Sequence, residues 1–210
     1  MMSNLFKVIY ADPPWAFEMV WGKSNGRNAS DKYPVLSRDA LCGLPVGELA
    51  AENSVLLLWA TWPNLPDAMA LGQAWGFTYK TCAFDWLKRS STGRSWFWGM
   101  GYYSRANSEP CLLFTKGNPK RKDKGVAQLI VDDDAQLALF PPIVDRVSAH
   151  SAKPVEAYNR IERLLDGAYC ELFARSRRPG WTQLGNAMSG LDIRDEMPAV
   201  IRQQQSQEAV

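Results

Sequence analysis

Five short apolar segments constrain the fold of this chain more than anything else in it. "LFKVIY" (5–10) and "SVLLLWA" (54–60) are nearly unbroken apolar runs, the pattern of strands buried on both faces. "FTYKTCAFDWLK" (77–88), "PCLLFTKG" (110–117) and "AYCELFAR" (168–175) add three more β-rich runs. Helical signals fall between them. Asn64 caps a helix with Pro66 in its first turn, Leu65, Ala68, Met69 and Trp75 at helical spacing, and Gly76 at its end. Ser151 and Pro154 open a second helix, with Val155, Tyr158, Ile161 and Leu165 on one face, Glu156 and Arg160 paired at i,i+4, and Gly167 as its stop. Strands alternating with helices predict an α/β fold, one domain built on a mostly parallel mixed sheet flanked by helices. No internal repeat or linker divides the 210 residues.

Two long polar or aromatic segments, 17–33 and 89–109, read as surface loops, and loops of this length are commonly functional. A weak helical stretch runs from Ser37 to Leu41, a further turn covers "LPVGELAA", and "NPKRKDKGVAQ" reads as a basic turn. The domain is expected to span 1–190, with 191–210, rich in glutamine, as a polar and flexible tail. The formal net charge of +2 permits a nucleic-acid partner without demanding one. No run reaches membrane-spanning length and the first residues lack a long apolar core, so the expectation is a cytoplasmic protein with no membrane partner. Cys42, Cys82, Cys111 and Cys170 stand far apart with no CxxC pair, and His150 is the single histidine, read as structural. A zinc site or disulfide framework is therefore not expected, and no metal is assigned. Chemistry must come from carboxylates, lysines, backbone groups or a bound cofactor.

The first apolar run ends in "ADPPWAF". Ligands of open α/β sheets bind beyond the carboxyl ends of the strands, which is where Asp12 falls. Pro13 and Pro14 fix the local backbone and bring carbonyl acceptors without N–H donors. Trp15 offers a flat face for a planar heterocycle. An exocyclic amine on an aromatic base suits this acceptor-only surface. Accepting both of its hydrogens, at Asp12 and at a proline carbonyl, favours a tetrahedral nitrogen whose lone pair can attack, a case of electrostatic preorganisation. Taken alone, the tetrapeptide serves equally as a strand-ending turn.

The remaining segments add to it. Asp12-Pro13-Pro14-Trp15 resembles the DPPW motif of amino-methyltransferases that use S-adenosylmethionine. "SVLLLWATWPNLPDAM", "GMGYYSRANSEPCLLFTKGNP", "HSAKPVEAYNRIERLLDG" and "ELFAR" followed by "GWTQLGN" resemble, in the same order, segments of the MT-A70-like adenine N6-methyltransferases. The similarity covers roughly 6–186 and implies a Rossmann-like methyltransferase domain with S-adenosylmethionine as cofactor. Carried over by position, it makes Asp12, Pro13, Pro14 and Trp15 the catalytic set, with Asp12 meeting both the target amine and the methionine end of the cofactor. Lys153 faces the site near Asp12 and is assigned to both cofactor and substrate, Tyr33 lines the target pocket, and Glu109 is a second-loop acid near the base. Arg175 and Asn186 match ribose contacts. Arg177 and Arg178 match loop positions that meet the methionine carboxylate, and stand equally as surface residues. Only eleven residues precede Asp12, so contacts to the cofactor's adenine ring are assigned to 173–181, beginning at Phe173. The chain departs from the family at "GNAM", where Ala187 replaces a polar residue that would reach the ribose.

A base inside a duplex cannot enter such a pocket, so the target is extruded or already unpaired. Arg89, Arg94 and Arg105 punctuate aromatics in the second loop, and Lys116, Lys120, Arg121, Lys122 and Lys124 form the basic turn; Arg105 is assigned to the substrate. The expected partner is DNA with a short or relaxed recognition sequence, RNA being the alternative, and monomer and homodimer both stay open. A catalytically silent partner subunit, and methylation of glutamine or of cytosine N4, are further alternatives; the intact tetrad argues against the first and the MT-A70-like segments against the others.

Overall fold

The computed structural model describes residues 5–15, 35–90, 95–99, 101, 103–131 and 153–208. Among the described residues seven strands, β1 (Phe6–Ala11), β2 (Ala50–Trp59), β3 (Thr78–Leu87), β4 (Ser108–Lys116), β5 (Leu129–Val131), β6 (Tyr169–Leu172) and β7 (Trp181–Leu184), join in one sheet of order β5-β3-β4-β2-β1-β6-β7. The helices are α1 (Arg38–Cys42), α2 (Val46–Leu49), α3 (Leu65–Ala74), α4 (Val155–Leu164), α5 (Asn186–Ser189) and α6 (Ile193–Glu208). The sheet is mixed and mostly parallel, as the strand–helix alternation predicts. By packing, the chain divides into two units, one of residues 1–81, 112–119 and 167–210, the other of 82–111 and 120–166.

In the first unit β1 is the central strand. It pairs in parallel with β2 on one side (Ile9 opposite Leu56, Ala11 opposite Leu58) and with β6 on the other (Val8 opposite Tyr169, Ala11 opposite Leu172). β7 then pairs in parallel with β6. Because side chains alternate across a strand, one face of β1 and β2 sends Ile9, Ala11, Leu56 and Leu58 into the main core with Leu41, Leu71, Trp75 and Phe114. The other face carries Tyr10, whose hydroxyl accepts from Trp59 Nε1 at 2.6 Å and whose ring meets Trp181 edge-on at 6.0 Å. Both faces of β1 are thus covered from Val8 to Ala11, which is why that stretch is apolar, while Lys7 before it is exposed.

The second unit holds the distal half of β3, β5 and α4. Asp85 to Leu87 pair in parallel with β5. Arg160 ties the helix to the segment before it: its guanidinium donates to Glu156 Oε1 at 2.8 Å and, at 2.7 Å each, to the carbonyls of Ala127 and Leu129. The buried face of α4 is Ala157 and Ile161, continued by Leu165; Val155, placed on that face by the periodicity, is exposed, since it is the first helical residue and points off the stripe.

Three elements differ from the sequence reading. β5 and β7 are strands of three and four residues, too short to show a pattern of their own. The segment 191–210, expected as a flexible polar tail, forms α6 as far as Glu208. Its composition is polar, but Ile193, Met197 and Ile201 recur at i, i+4 and i+8 and are buried in the core of the first unit. Asp192 starts that helix, its Oδ1 accepting from the Arg194 N–H at 2.9 Å. Among the described residues, no helix is long and apolar enough to cross a membrane.

Candidate active site

The parallel strands β1, β6 and β7 are neighbours, and the residues just past their carboxyl ends converge. Asp12 and Pro14 follow β1, Phe173 and Arg175 follow β6, and Gly185, Asn186 and Ala187 follow β7. With Leu36, Asp192 and Ile193 they line one cleft of about 230 Å³. It lies beside the point where the strand order reverses, with β2 on one side of β1 and β6 on the other, the usual ligand position of such folds.

The turn after β1 is rigid. The Trp15 N–H donates to the Pro13 carbonyl at 2.8 Å, closing a three-residue turn around Pro14, and the Leu36 N–H donates to the Pro14 carbonyl at 3.2 Å. Each proline oxygen is therefore already engaged and keeps one lone pair. Of the two, Pro14 lines the cleft and Pro13 is buried. Trp15 departs from the flat stacking face expected of it. Only 7% exposed, it lies in the core, and its indole N–H donates to the Trp59 carbonyl at 3.2 Å. The ring anchors the turn to β2 because burying it there removes a large apolar surface from water while its one polar atom is satisfied.

Past β6 the backbone is forced into unusual geometry. Phe173 has φ +62°, rare for a side chain of its size, with its ring half-buried on the core. The neighbouring chain comes so close that Gly185, at φ +153°, leaves no room for a side chain: a Cβ would stand 2.9 Å from Ala174 N and 3.0 Å from Ala174 O. The Gly185 N–H donates to Glu196 Oε2 at 2.8 Å, so α6 fixes this approach from behind. Gly185→Ala should cost about 1–3 kcal/mol, seen as a lower urea midpoint at unchanged slope.

The segment after β6 is held by Gln183, a residue the sequence reading does not single out. Its amide nitrogen donates to Glu171 Oε2 at 2.9 Å and to the Ser176 carbonyl, and its oxygen accepts from the Arg178 N–H at 2.7 Å. Asp192 was also missed. Arg194 hydrogen-bonds both its oxygens, at 2.8 and 2.7 Å, and the Arg194 side chain, then its N–H, hold the carboxyl down at about 2. Asp192 directly before the apolar stripe, with the acids Asp195 and Glu196 in the first turn, is a helix-start signal that could have located it. Arg177 is exposed and Arg178 half-buried on the same segment, and neither lines the cleft.

A second cluster lies in the other unit. Glu109, read as a loop residue, belongs to β4, and its carboxylate is paired with Lys88 and, at 3.3 Å, with Lys153. Burial alone would raise the Glu109 carboxyl, but Lys153 and Lys88 overcome it and hold it below the usual range. Lys88 was not anticipated; it follows β3 and lies across from this strand, its N–H donating to the Asn107 carbonyl at 2.9 Å. Arg105 is exposed nearby in sequence, before β4. Tyr33, Arg94, His150 and Ser151 lie outside the described residues. Among the described residues no group of His, Cys, Asp and Glu could hold a metal ion.

The MT-A70 family model matches residues 6–187. The chain belongs to the MT-A70 family. The type II methyltransferase M.MunI of Mycoplasma sp is 31% identical over 198 residues, covering 86% of this chain and 76% of that protein. The human N(6)-adenosine-methyltransferase catalytic subunit METTL3 is 31% identical over 203 residues, 90% of this chain but 29% of its own length. The human N(6)-adenine-specific methyltransferase METTL4 is 28% identical over 193 residues, 86% of this chain and 37% of its own. The MT-A70 match spans β1 to β7 and every cleft-lining residue except Asp192 and Ile193, and stops at the start of α5. The chain is thus a methyltransferase by family, on an α/β sheet.

Proposed function

We propose that this MT-A70 protein transfers a methyl group from S-adenosylmethionine to the exocyclic N6 amine of adenine in DNA, with a short or relaxed recognition sequence, in the cytoplasm. The observation that carries the reading is the convergence of Asp12 and Pro14 with Phe173, Arg175 and Asn186 in one cleft at the ends of three parallel strands. In this reading the methyltransferase domain takes in 1–190 together with α6, whose capping Asp192 lines the same cleft.

The lining suits the cofactor's chemistry. Asn186, Asp192 and Arg175 offer polar partners for ribose hydroxyls, and Phe173, Ile193 and Leu36 an apolar wall for an adenine ring. Asp192 lines the same cleft as Ala187, which brings no polar group. Arg177 and Arg178 are assigned to the methionine carboxylate, a match of guanidinium to carboxylate. When bound, S-adenosylmethionine supplies an electrophilic methyl group on a sulfonium. The chain's part is to present the amine. The Asp12 carboxylate accepts one N–H, and Pro14, through the lone pair its carbonyl retains, accepts the other. That geometry withdraws the nitrogen lone pair from the ring and stabilises the positive charge that develops on nitrogen. Trp15 and Pro13 act beneath, holding the turn against β2. Lys153, Glu109, Arg105 and Tyr33 are assigned to the target nucleotide.

The choice of DNA over RNA follows the match to a type II methyltransferase along 76% of that protein, against 29% of the N(6)-adenosine methyltransferase. The test gives the purified protein labelled S-adenosylmethionine with matched DNA, RNA and protein acceptors, followed by nucleoside mass spectrometry. N6-methyl-2′-deoxyadenosine is the expected product. N6-methyladenosine in RNA alone would overturn the substrate, and label in protein would overturn the reaction.

A further inference from the structure

The stretch between β3 and β4 carries an unusual combination. From Trp86 to Ser108 there is no acidic residue, while Lys88, Arg89, Arg94 and Arg105 are basic and six residues are aromatic. Its described parts form a small ribbon of three short stretches, 88–90, 95–99 and 105–107, with antiparallel bridges from Arg89 to Trp96 and from Gly99 to Ala106. The Lys88 N–H donates to Asn107, the Phe97 N–H to Lys88 at 3.0 Å, the Ser90 N–H to Ser95 at 2.9 Å, and the Gly99 N–H to Ala106 at 2.7 Å, all backbone carbonyls. The second and third stretches meet so closely at Gly99 that a Cβ there would stand 2.9 Å from the Ala106 oxygen. Arg89 stacks its guanidinium over the Trp96 ring at 4.1 Å. Phe97 is 45% and Trp98 59% exposed, and Tyr103 is fully exposed. Apolar rings do not stay in water without a reason, and a backbone-bonded ribbon that displays several of them together marks an interaction surface.

We propose that this ribbon binds single-stranded nucleic acid, the exposed rings of Phe97, Trp98 and Tyr103 stacking on unpaired bases and Arg89 and Arg105 meeting the phosphates. Rings interleaved with cations fit a polyanion whose bases have free faces. A duplex offers no such faces, since its bases already stack on one another. A second copy of the chain fits less well: in a two-fold interface the same patch meets itself, which would set Arg89 and Arg105 against like charge with no acid in the ribbon to answer them. The inference names the form of nucleic acid that the proposed activity takes up, and so rests on that reading.

The test uses the intact chain and fluorescein-labelled (dT)16, which contains no adenine and so separates binding from methyl transfer. Anisotropy titrations should show (dT)16 bound at least tenfold more tightly than the (dT)16·(dA)16 duplex. Trp98→Ala and Phe97→Ala should each weaken (dT)16 binding roughly tenfold with melting temperature unchanged. Arg105→Ala should lower the salt dependence by about one released counterion. Wild-type affinity in both Trp98→Ala and Phe97→Ala would overturn the proposal, as would tighter binding of the duplex. So would a fall from dimer to monomer in sedimentation on Trp98→Ala with (dT)16 affinity per subunit unchanged, which would make the ribbon a self-association surface. A protein that binds (dT)16 through these rings yet methylates no DNA would sink the proposed activity and leave this inference standing; efficient DNA methylation without ribbon binding would do the reverse.

Discussion

Asp12→Ala lowers methyl transfer by about 10²–10³-fold and leaves the fold intact. That outcome is expected because the carboxylate stands directly after the central strand, half-exposed on the cleft wall, while the burial that stabilises β1 comes from Val8, Ile9, Tyr10 and Ala11. Removing the side chain takes away the one charged acceptor that the turn after β1 offers and little apolar contact. The loss should sit in kcat, since the hydrogen bond that polarises the amine is worth most when positive charge develops on nitrogen. Asp12→Asn sharpens the test. It keeps size and one acceptor oxygen but brings an NH2 that cannot accept from an amine, so it should be nearly as inactive as alanine. Tritium transfer to unmethylated DNA, with urea unfolding as the control for folding, reads both. Wild-type turnover in Asp12→Ala would remove the mechanism.

The second large effect concerns stability. Glu109 is mostly buried between two ammonium groups, with side-chain exposures of 17% for Glu109, 19% for Lys88 and 9% for Lys153. Glu109→Gln keeps the shape and removes the negative charge that both lysines face. Breaking such a buried pair costs about 3–5 kcal/mol, a shift of roughly 2 M in urea midpoint at pH 7 for a slope of ordinary size. The pH dependence follows from the direction of the Glu109 shift. Lys153 and Lys88 hold the carboxyl, against burial, below its unfolded value of about 4.3. Its stabilisation is therefore complete above that value and fades as pH falls through the folded value, where the native state must take up the proton. The gap between wild type and Glu109→Gln should be widest at neutral pH and shrink in acid. A gap that stayed constant from pH 7 to pH 3 would show that the carboxylate's charge is not what stabilises this cluster.

Much of the architecture could be read from residue order. The runs Val8–Ala11 and Val55–Trp59 of β1 and β2 are apolar because neighbours cover both faces, and α3 has a proline in its first turn and ends before Gly76, at φ +84°. β7 escaped because only Trp181 and Leu184 of its four residues are buried, and β5 because Ile130 alone is. α6 escaped for another reason: three apolar residues four apart suffice to seat a helix, yet they vanish in the average of a stretch full of glutamine and arginine. At the cleft, Asp12 was legible as an acid ending an apolar run. Phe173, Arg175 and Asn186 were reached through resemblance alone, since periodicity does not carry the order in which strands lie. Leu36, Asp192 and Gln183 come from segments that only the folded chain brings together. The hydrogen bonds already taken by the two proline carbonyls, and the burial of Trp15, are properties of a turn that no composition encodes.

The central place of β1 also governs how this protein is made. One edge of Val8–Ala11 is closed by β2, but its other edge waits for Tyr169–Leu172, more than 150 residues later on the ribosome. At ordinary translation speeds that interval is on the order of ten seconds, through which the nascent chain carries an open, wholly apolar strand edge. The cleft does not exist until the last quarter of the chain has emerged.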